Sequence, residues 1–216
     1  MTRLRFLIAV FCLLLMLPTS GRAQEQPIEP DEETRALEKQ AYEMLYSIAE
    51  SVPSLRSSDN RIYLTAAVAE LLWTKDETRA RTLFETLIKE INTVMVDLDP
   101  ADQRAINTVS MMQQQRREII ERISRRDPDM ALSFLHATRP PQEMLARIND
   151  FANENNLELY LVSQVAQKEP ERALKLARAS LKKGMTSSMV SVLLNIASKN
   201  PDAARTLHVE MVERLR

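Results

Sequence analysis

Histidine and cysteine, the side chains that most often act as bases, nucleophiles or metal ligands, are scarce in this chain of 216 residues. It has one cysteine, Cys12, and two histidines, which belong to no HExxH or comparable ligand pattern. No serine lies in a G-x-S-x-G setting, and two glycines are too few for a phosphate-binding glycine loop. The sequence therefore predicts no catalytic, cofactor-binding or metal-binding residue.

The two histidines occupy different helical contexts. His208 shares a stripe with Ala204, Leu207 and Met211, and no acidic residue lies three or four positions away on that face. We expect it to be packed and hydrogen-bonded rather than to act as a ligand or base. His136 falls in the last turn of a predicted helix, where a cation suits the helix dipole. A site assembled from both histidines across the fold stays open.

An excess of arginine marks one helix and is the candidate interaction patch. Five arginines fall within eleven residues, against only two glutamates, Glu118 and Glu121. Such a cluster favours an acidic peptide, the acidic leader of this chain or an anionic lipid, and the alternative is a solvated helix face. The five are Arg116, Arg117, Arg122, Arg125 and Arg126.

The N-terminus has the pattern of a secretory signal, residues 1–23. Two arginines precede a 12-residue apolar run, and Gly21-Arg22-Ala23 suits cleavage after Ala23. An uncleaved membrane anchor is the alternative, although the run is short for a span. Cleavage would leave 193 residues with a net charge of −4, which argues against nucleic-acid binding. We expect a secreted or periplasmic protein with no membrane span after cleavage.

The rest of the chain is an acidic leader and one helical domain. Residues 24–33 hold five acidic residues and two prolines, which predicts a disordered leader. Residues 34–216 have helical periodicity throughout and no strand-like alternation, which predicts a single all-α domain. The predicted helices are 34–50, 60–74, 76–95, one from Asp99-Pro100 to about Arg126, 128–138, 141–153 with a break near Asn153–Asn156, 157–168, 170–183, 185–199 and 201–215.

Four helix openings resemble one another. Each has a capping residue, usually a proline, an acidic residue in the first turn and an alanine four positions after the cap. An apolar helix precedes each opening, which predicts helical hairpins stacked into a short α-solenoid, with an irregular helical bundle as the alternative. The caps are Asp76, Asp127, Glu169 and Asn200, and the alanines, Ala80, Ala131, Ala173 and Ala204, lie 51, 42 and 31 residues apart.

These openings, clearest in Pro170–Leu181 (PERALKLARASL), resemble those of the tetratricopeptide and Sel1-like helical-repeat families. The resemblance covers mainly residues 157–216 and more faintly 60–93. It implies stacked hairpins that bind proteins or peptides on a concave face. A fainter similarity, at Leu98–Arg104 (LDPADQR), is to the helix starts of small periplasmic stress chaperones.

We therefore expect an exported, non-enzymatic interaction module that binds a protein or peptide partner in a helix-lined groove. A periplasmic holdase chaperone or metal-responsive helical protein is one alternative, and an envelope enzyme accessory without a recognisable motif is another. Leu207, Met211 and Leu215 on the last helix suggest self-association, because no later segment covers them.

Overall fold

The computed structural model describes residues 31–96 and 98–216. The predicted signal segment and the predicted leader up to residue 30 lie outside these residues. Within them the protein is all-α and has no strand. The helices are α1 (Glu32–Ser51), a 3-10 turn (Val52–Ser54), α2 (Ser58–Leu72), α3 (Glu77–Val96), α4 (Gln103–Ser124), α5 (Pro128–Ala137), α6 (Gln142–Ile148), α7 (Phe151–Val165), α8 (Pro170–Lys183), α9 (Ser188–Ala197) and α10 (Pro201–Leu215).

The backbone divides into two units within α1, at Ala41 and Tyr42. In the first unit, the described residues 31–41 are all exposed. The Thr34 N–H donates to the Asp31 carboxylate at 2.8 Å, so the helix begins at Glu32. The first helix therefore begins two residues earlier than the predicted start at residue 34, because Asp31 acts as its cap.

The second unit, residues 42–216, is a series of helical hairpins that pack on their neighbours. The hairpins are α2/α3, α4/α5, α7/α8 and α9/α10, and the helices of each pack together. Helix α2 also packs on α4, α3 on α5, α7 on α9 and α8 on α10, while α5 packs on α7. This order confirms stacked hairpins, with the short helix α6 inserted between the second and third.

One turn recurs in all four hairpins. The carbonyl of a buried apolar residue accepts the N–H of the capping residue four positions later, at 2.7–2.8 Å. The cap's own carbonyl then accepts the N–H of the repeated alanine at 3.0–3.1 Å. Each alanine is at most 5% exposed, because the two helices of the hairpin pack closely against it. A larger side chain at this position would hold the helices apart. The apolar residues are Leu72, Ile123, Val165 and Ile196.

Polar contacts between consecutive hairpins line the edge that these turns form. Arg81 of the first hairpin donates to Asp127 of the second at 2.7 Å. Arg172 of the third pairs with Asp129 of the second at 2.9 Å. Asn200 of the fourth donates to Glu171 of the third at 2.6 Å. The acidic residues that open the second helices therefore also tie neighbouring hairpins together.

The starts predicted for α4 and α7 are wrong. Asp102, rather than Asp99, caps α4 by accepting the Arg104 N–H at 2.9 Å, while Asp99 accepts the Ala101 N–H in the preceding turn. The break predicted near residues 153–156 lies at Asn149, whose left-handed conformation (φ 54°) ends α6. Helix α7 then starts at Phe151, so it begins six residues earlier than expected.

We expect Asp127→Ala to lower the free energy of unfolding by about 1–2 kcal/mol, because it removes both a helix cap and the ion pair to Arg81. The Asp127 carboxylate accepts the N–H groups of Asp129 and Met130 at 3.0 and 2.9 Å. Asp102→Ala is the matched control, since it removes an exposed cap alone and should cost about 1 kcal/mol. Urea unfolding measures both variants, and equal losses would contradict a role for the contact between hairpins.

Candidate functional site

The buried charges of the described residues gather where α6 interrupts the stack. Four charged residues are buried, at most 7% exposed, and all four lie here: Arg116, Asp150, Glu154 and Glu158. Buried charges are costly unless they are paired and hydrogen-bonded. The contacts of these four groups are therefore what makes this junction possible.

Arg116 lies at the centre of this cluster and is 0% exposed. A guanidinium has five N–H donors, and Arg116 uses all five. Two donate to the oxygens of Glu154 at 2.7 Å each, and a third donates to Thr138 Oγ1 at 2.7 Å. The others donate to Gln113 Oε1 at 3.1 Å and to the Leu135 carbonyl. The pair thus joins α4 to α7 and holds the C-terminal end of α5 beside them.

Three acidic residues spaced four apart form one stripe of α7 and its N-terminus. Asp150 accepts from Gln113 Nε2 at 2.8 Å and from Arg117 at 3.3 Å. Glu154, one turn later, accepts from Arg139 Nε at 3.2 Å as well as from Arg116. The stripe faces α4 and the α5–α6 connection, so each carboxylate meets a cation there.

Glu158 completes the stripe and lies closest to α8. Its oxygens accept from Lys183 Nζ at 2.7 and 3.0 Å, from Arg139 at 3.0 Å and from Ser180 at 3.2 Å, and His136 Nε2 lies 3.7 Å away. Burial alone would raise the pKa of Glu158, but the nearby His136 and the hydrogen bonds from Lys183 and Arg139 lower it well below its ordinary value of 4.5. Glu158 is therefore a carboxylate at neutral pH.

A cleft of about 380 Å³ opens beside this network. Its floor is apolar, because it consists of Leu145, which is buried, and Phe151, which is 43% exposed. Its wall carries the cations of Arg139 and Lys183, whose side chains are 31% and 40% exposed. The lining residues are Arg139, Gln142, Leu145, Phe151, Glu154, Asn155 and Lys183. An apolar floor with a few convergent polar groups is the usual form of a ligand site.

The five arginines of the predicted patch do not form one surface. Arg116 is buried, so its assignment to an interaction patch is wrong. Arg117 lies beside it and pairs with Asp150. Arg122 donates to Glu70 on α2, and Arg125 lies 3.7 Å from the same carboxylate. Arg126 is exposed and lines a different cleft with Asp127 and Asp129. Successive helical residues differ by about 100° in direction, so arginines that are close in sequence diverge in space.

Neither histidine lies where a packed core residue would. His208 is exposed, so the expectation that it is packed is wrong, although Leu207 and Met211 beside it are buried. Their burial within the chain leaves only Leu215 of the predicted self-association stripe exposed, at 69%. His136 ends α5 as expected and lies 47% exposed beside Glu158. Residues 31–96 and 98–216 contain no group of three or more metal-ligating side chains.

Arg139, Lys183 and the acidic stripe of α7 were not predicted from the sequence. One signal was present for Arg116: it occupies the same helical stripe as Met112, Ile119 and Ile123, which are all buried. An arginine at an apolar position predicts a buried ion pair rather than a surface patch. The carboxylates at 150, 154 and 158 show the same periodicity next to the buried Leu161.

The architecture, an all-helical fold of packed hairpins, is compatible with a helical repeat. Comparison with protein-family models, with curated proteins and with solved structures finds no match to this chain. No helix in the part of the chain that the structure describes is long and apolar enough to cross a membrane. Because none of these comparisons finds a match, the hairpin architecture is established only by the way the helices pack on one another.

We expect Arg116→Met to lower the free energy of unfolding by about 3–5 kcal/mol, because it leaves Glu154 buried without its main partner. The double variant Arg116→Met/Glu154→Leu should recover part of this loss, since both buried charges are then removed. Arg126→Met is the matched control, and this exposed site should change stability by less than about 0.5 kcal/mol. Chemical unfolding measures all three, and an Arg116→Met loss no larger than the control's would contradict the central role of the pair.

The lowered pKa of Glu158 predicts acid sensitivity. A carboxyl whose pKa is lower in the folded state stabilises the fold above its unfolded pKa, and this contribution is lost as the pH falls. We therefore expect the free energy of unfolding to decline as the pH drops below about 4.5. Glu158→Gln should be less stable at pH 7 and decline less steeply. Glu143→Gln, an exposed change on α6, should keep the slope of the unaltered protein, and an unchanged slope in Glu158→Gln would contradict the assignment.

Proposed function

We propose that the protein is an exported, non-enzymatic interaction module, built as a degenerate helical-hairpin repeat, that binds a protein or peptide partner. The binding site would be the cleft between α6, α7 and α8. One observation carries this proposal: an open cleft with an apolar floor lies where the inserted helix interrupts an otherwise regular stack. Export is supported by the signal-like pattern of residues 1–23.

The chemistry of the cleft favours binding over catalysis. Glu154, which lines the cleft, and the neighbouring Glu158 are both engaged by arginine or lysine, and the pKa of Glu158 lies too low for it to donate a proton near neutral pH. A carboxylate that is paired with arginine or lysine holds those cations in a defined position. The cations and the apolar floor are then pre-organised for a ligand, which lowers the entropic cost of binding.

Two other clefts have no buried charge network beside them. One of about 400 Å³ lies between α8 and α10, and its wall includes the partly exposed ion pair of Arg178 and Glu210. Another of about 330 Å³ lies at the turn edge, where Arg81 and Asp127 already join two hairpins. No buried charged side chain lines either cleft, which favours the cleft at α6 as the place where a partner binds.

Site-specific photocrosslinking in the cells that make the protein tests this proposal. Benzoylphenylalanine in place of Phe151 would lie at the floor of the cleft, and we expect it to give one discrete protein adduct. Tyr160 is the matched control, because it lies on the same helix, is 47% exposed against 43% for Phe151, and points about 180° away. We expect no such adduct from that position.

Two results would contradict this proposal. Equal adducts from positions 151 and 160 would show that the cleft has no special part in binding. A broad smear of many adducts from both positions would favour a holdase chaperone, which exposes apolar surface to many unfolded chains.

A further inference from the structure

The charges around the cleft do not balance. Three cations, Arg116, Arg139 and Lys183, face only two carboxylates, Glu154 and Glu158. Arg116 pairs with Glu154 through two hydrogen bonds, and Arg139 and Lys183 both donate to Glu158, while Arg139 also donates to Glu154. The neighbouring Asp150 is matched by Arg117. One positive charge is therefore in excess, and it lies on the two cations that line the cleft.

These two cations also keep donors to spare. Arg139 uses Nε and Nη2, whereas its Nη1 has no hydrogen-bond partner among residues 31–96 and 98–216. An ammonium group has three N–H donors, and those of Lys183 Nζ meet only the two oxygens of Glu158. Both cations donate to the same oxygen, Glu158 Oε2, which keeps them close together. A single carboxylate could therefore accept from both.

The remaining lining residues restrict the ligand further. Phe151 and Leu145 offer an apolar floor, and the amides of Gln142 and Asn155 can donate to or accept from a peptide backbone. A volume of about 380 Å³ suits one or two side chains rather than a folded domain. Because Phe151, Arg139 and Lys183 stay partly exposed, a chain can cross the cleft without ending in it.

We propose that the cleft recognises an internal segment of a partner in which an aspartate or glutamate lies next to a large apolar residue. The acidic side chain accepts from Arg139 and Lys183, and the apolar side chain packs on Phe151 and Leu145. One excess positive charge matches a carboxylate better than a doubly charged phosphate. This inference rests on the proposed function and names the chemistry of the partner.

Peptide display tests the inference. Short random segments, with fixed linkers at both ends so that no free terminus is offered, are selected against the full chain. We expect enrichment of Asp or Glu beside Phe, Tyr, Trp, Leu or Ile. Changing the enriched acid to its amide in the peptide should weaken binding about fivefold, the effect of a partly exposed charge pair. This comparison leaves the protein unaltered, so it does not depend on how any variant folds.

Variants of the protein give the complementary measurement by fluorescence anisotropy with the enriched peptides. Lys183→Gln and Arg139→Gln should each weaken binding about fivefold. Lys182→Gln is the matched control, because it removes the adjacent exposed lysine, which lines the other cleft, and should leave affinity unchanged. Circular dichroism and thermal unfolding establish that each variant is folded.

Several outcomes would overturn the inference. Enrichment of basic or uncharged segments, or equal affinity of acid and amide peptides, would exclude carboxylate recognition. Binding only by peptides with a free C-terminus would assign the carboxylate to the chain end instead of a side chain. The photocrosslink at position 151 separates the two proposals. A discrete adduct there without acid-dependent peptide binding would retain the interaction site and reject the acidic partner.

Discussion

The buried ion pair between Arg116 and Glu154 is the interaction on which the second unit depends most. Transferring a guanidinium and a carboxylate out of water costs several kcal/mol each, and a buried pair is tolerated only when its remaining donors and acceptors are satisfied. Here all five donors of Arg116 have acceptors, and Glu154 also accepts from Arg139. The pair defines the position of α7 against α4, and hence of the last two hairpins against the second.

Seven of the ten buried polar side chains among the described residues belong to the network around this pair. Gln113, Thr138 and Ser180 extend it, so it reaches from α4 through the α5–α6 connection and α7 to α8. Removing one member leaves others buried without partners, which is why such networks respond to substitution as units. Phe151 and Arg139 line the cleft from two of these segments, so the shape of the cleft depends on the network as a whole.

The sequence was sufficient for the elements that follow local rules. The repeated cap and alanine correctly located α3, α5, α8 and α10, because capping and close helix packing are set by a few neighbouring residues. It was insufficient at Asn149, where a left-handed residue ends α6, since asparagine occurs in many other contexts. Arg116 was misassigned for a different reason: composition identified the cluster of arginines, but only the helical direction of each side chain separates buried Arg116 from exposed Arg126.

The position of the cleft follows from the same irregularity that disrupts the repeat spacing. Where hairpins stack directly, small alanines and apolar residues fill the buried contact, and the polar pairs lie in partly exposed positions around it. The insertion of α6 separates the second and third hairpins along the chain, and the polar groups of the α5–α6 connection then need partners. Charged residues meet that need because they reach further than apolar ones and have directional bonds. The network then has one more cation than carboxylate, and the two cations that share this excess, Arg139 and Lys183, line the open cleft. An anionic ligand can therefore pair with them without displacing a partner that they already have.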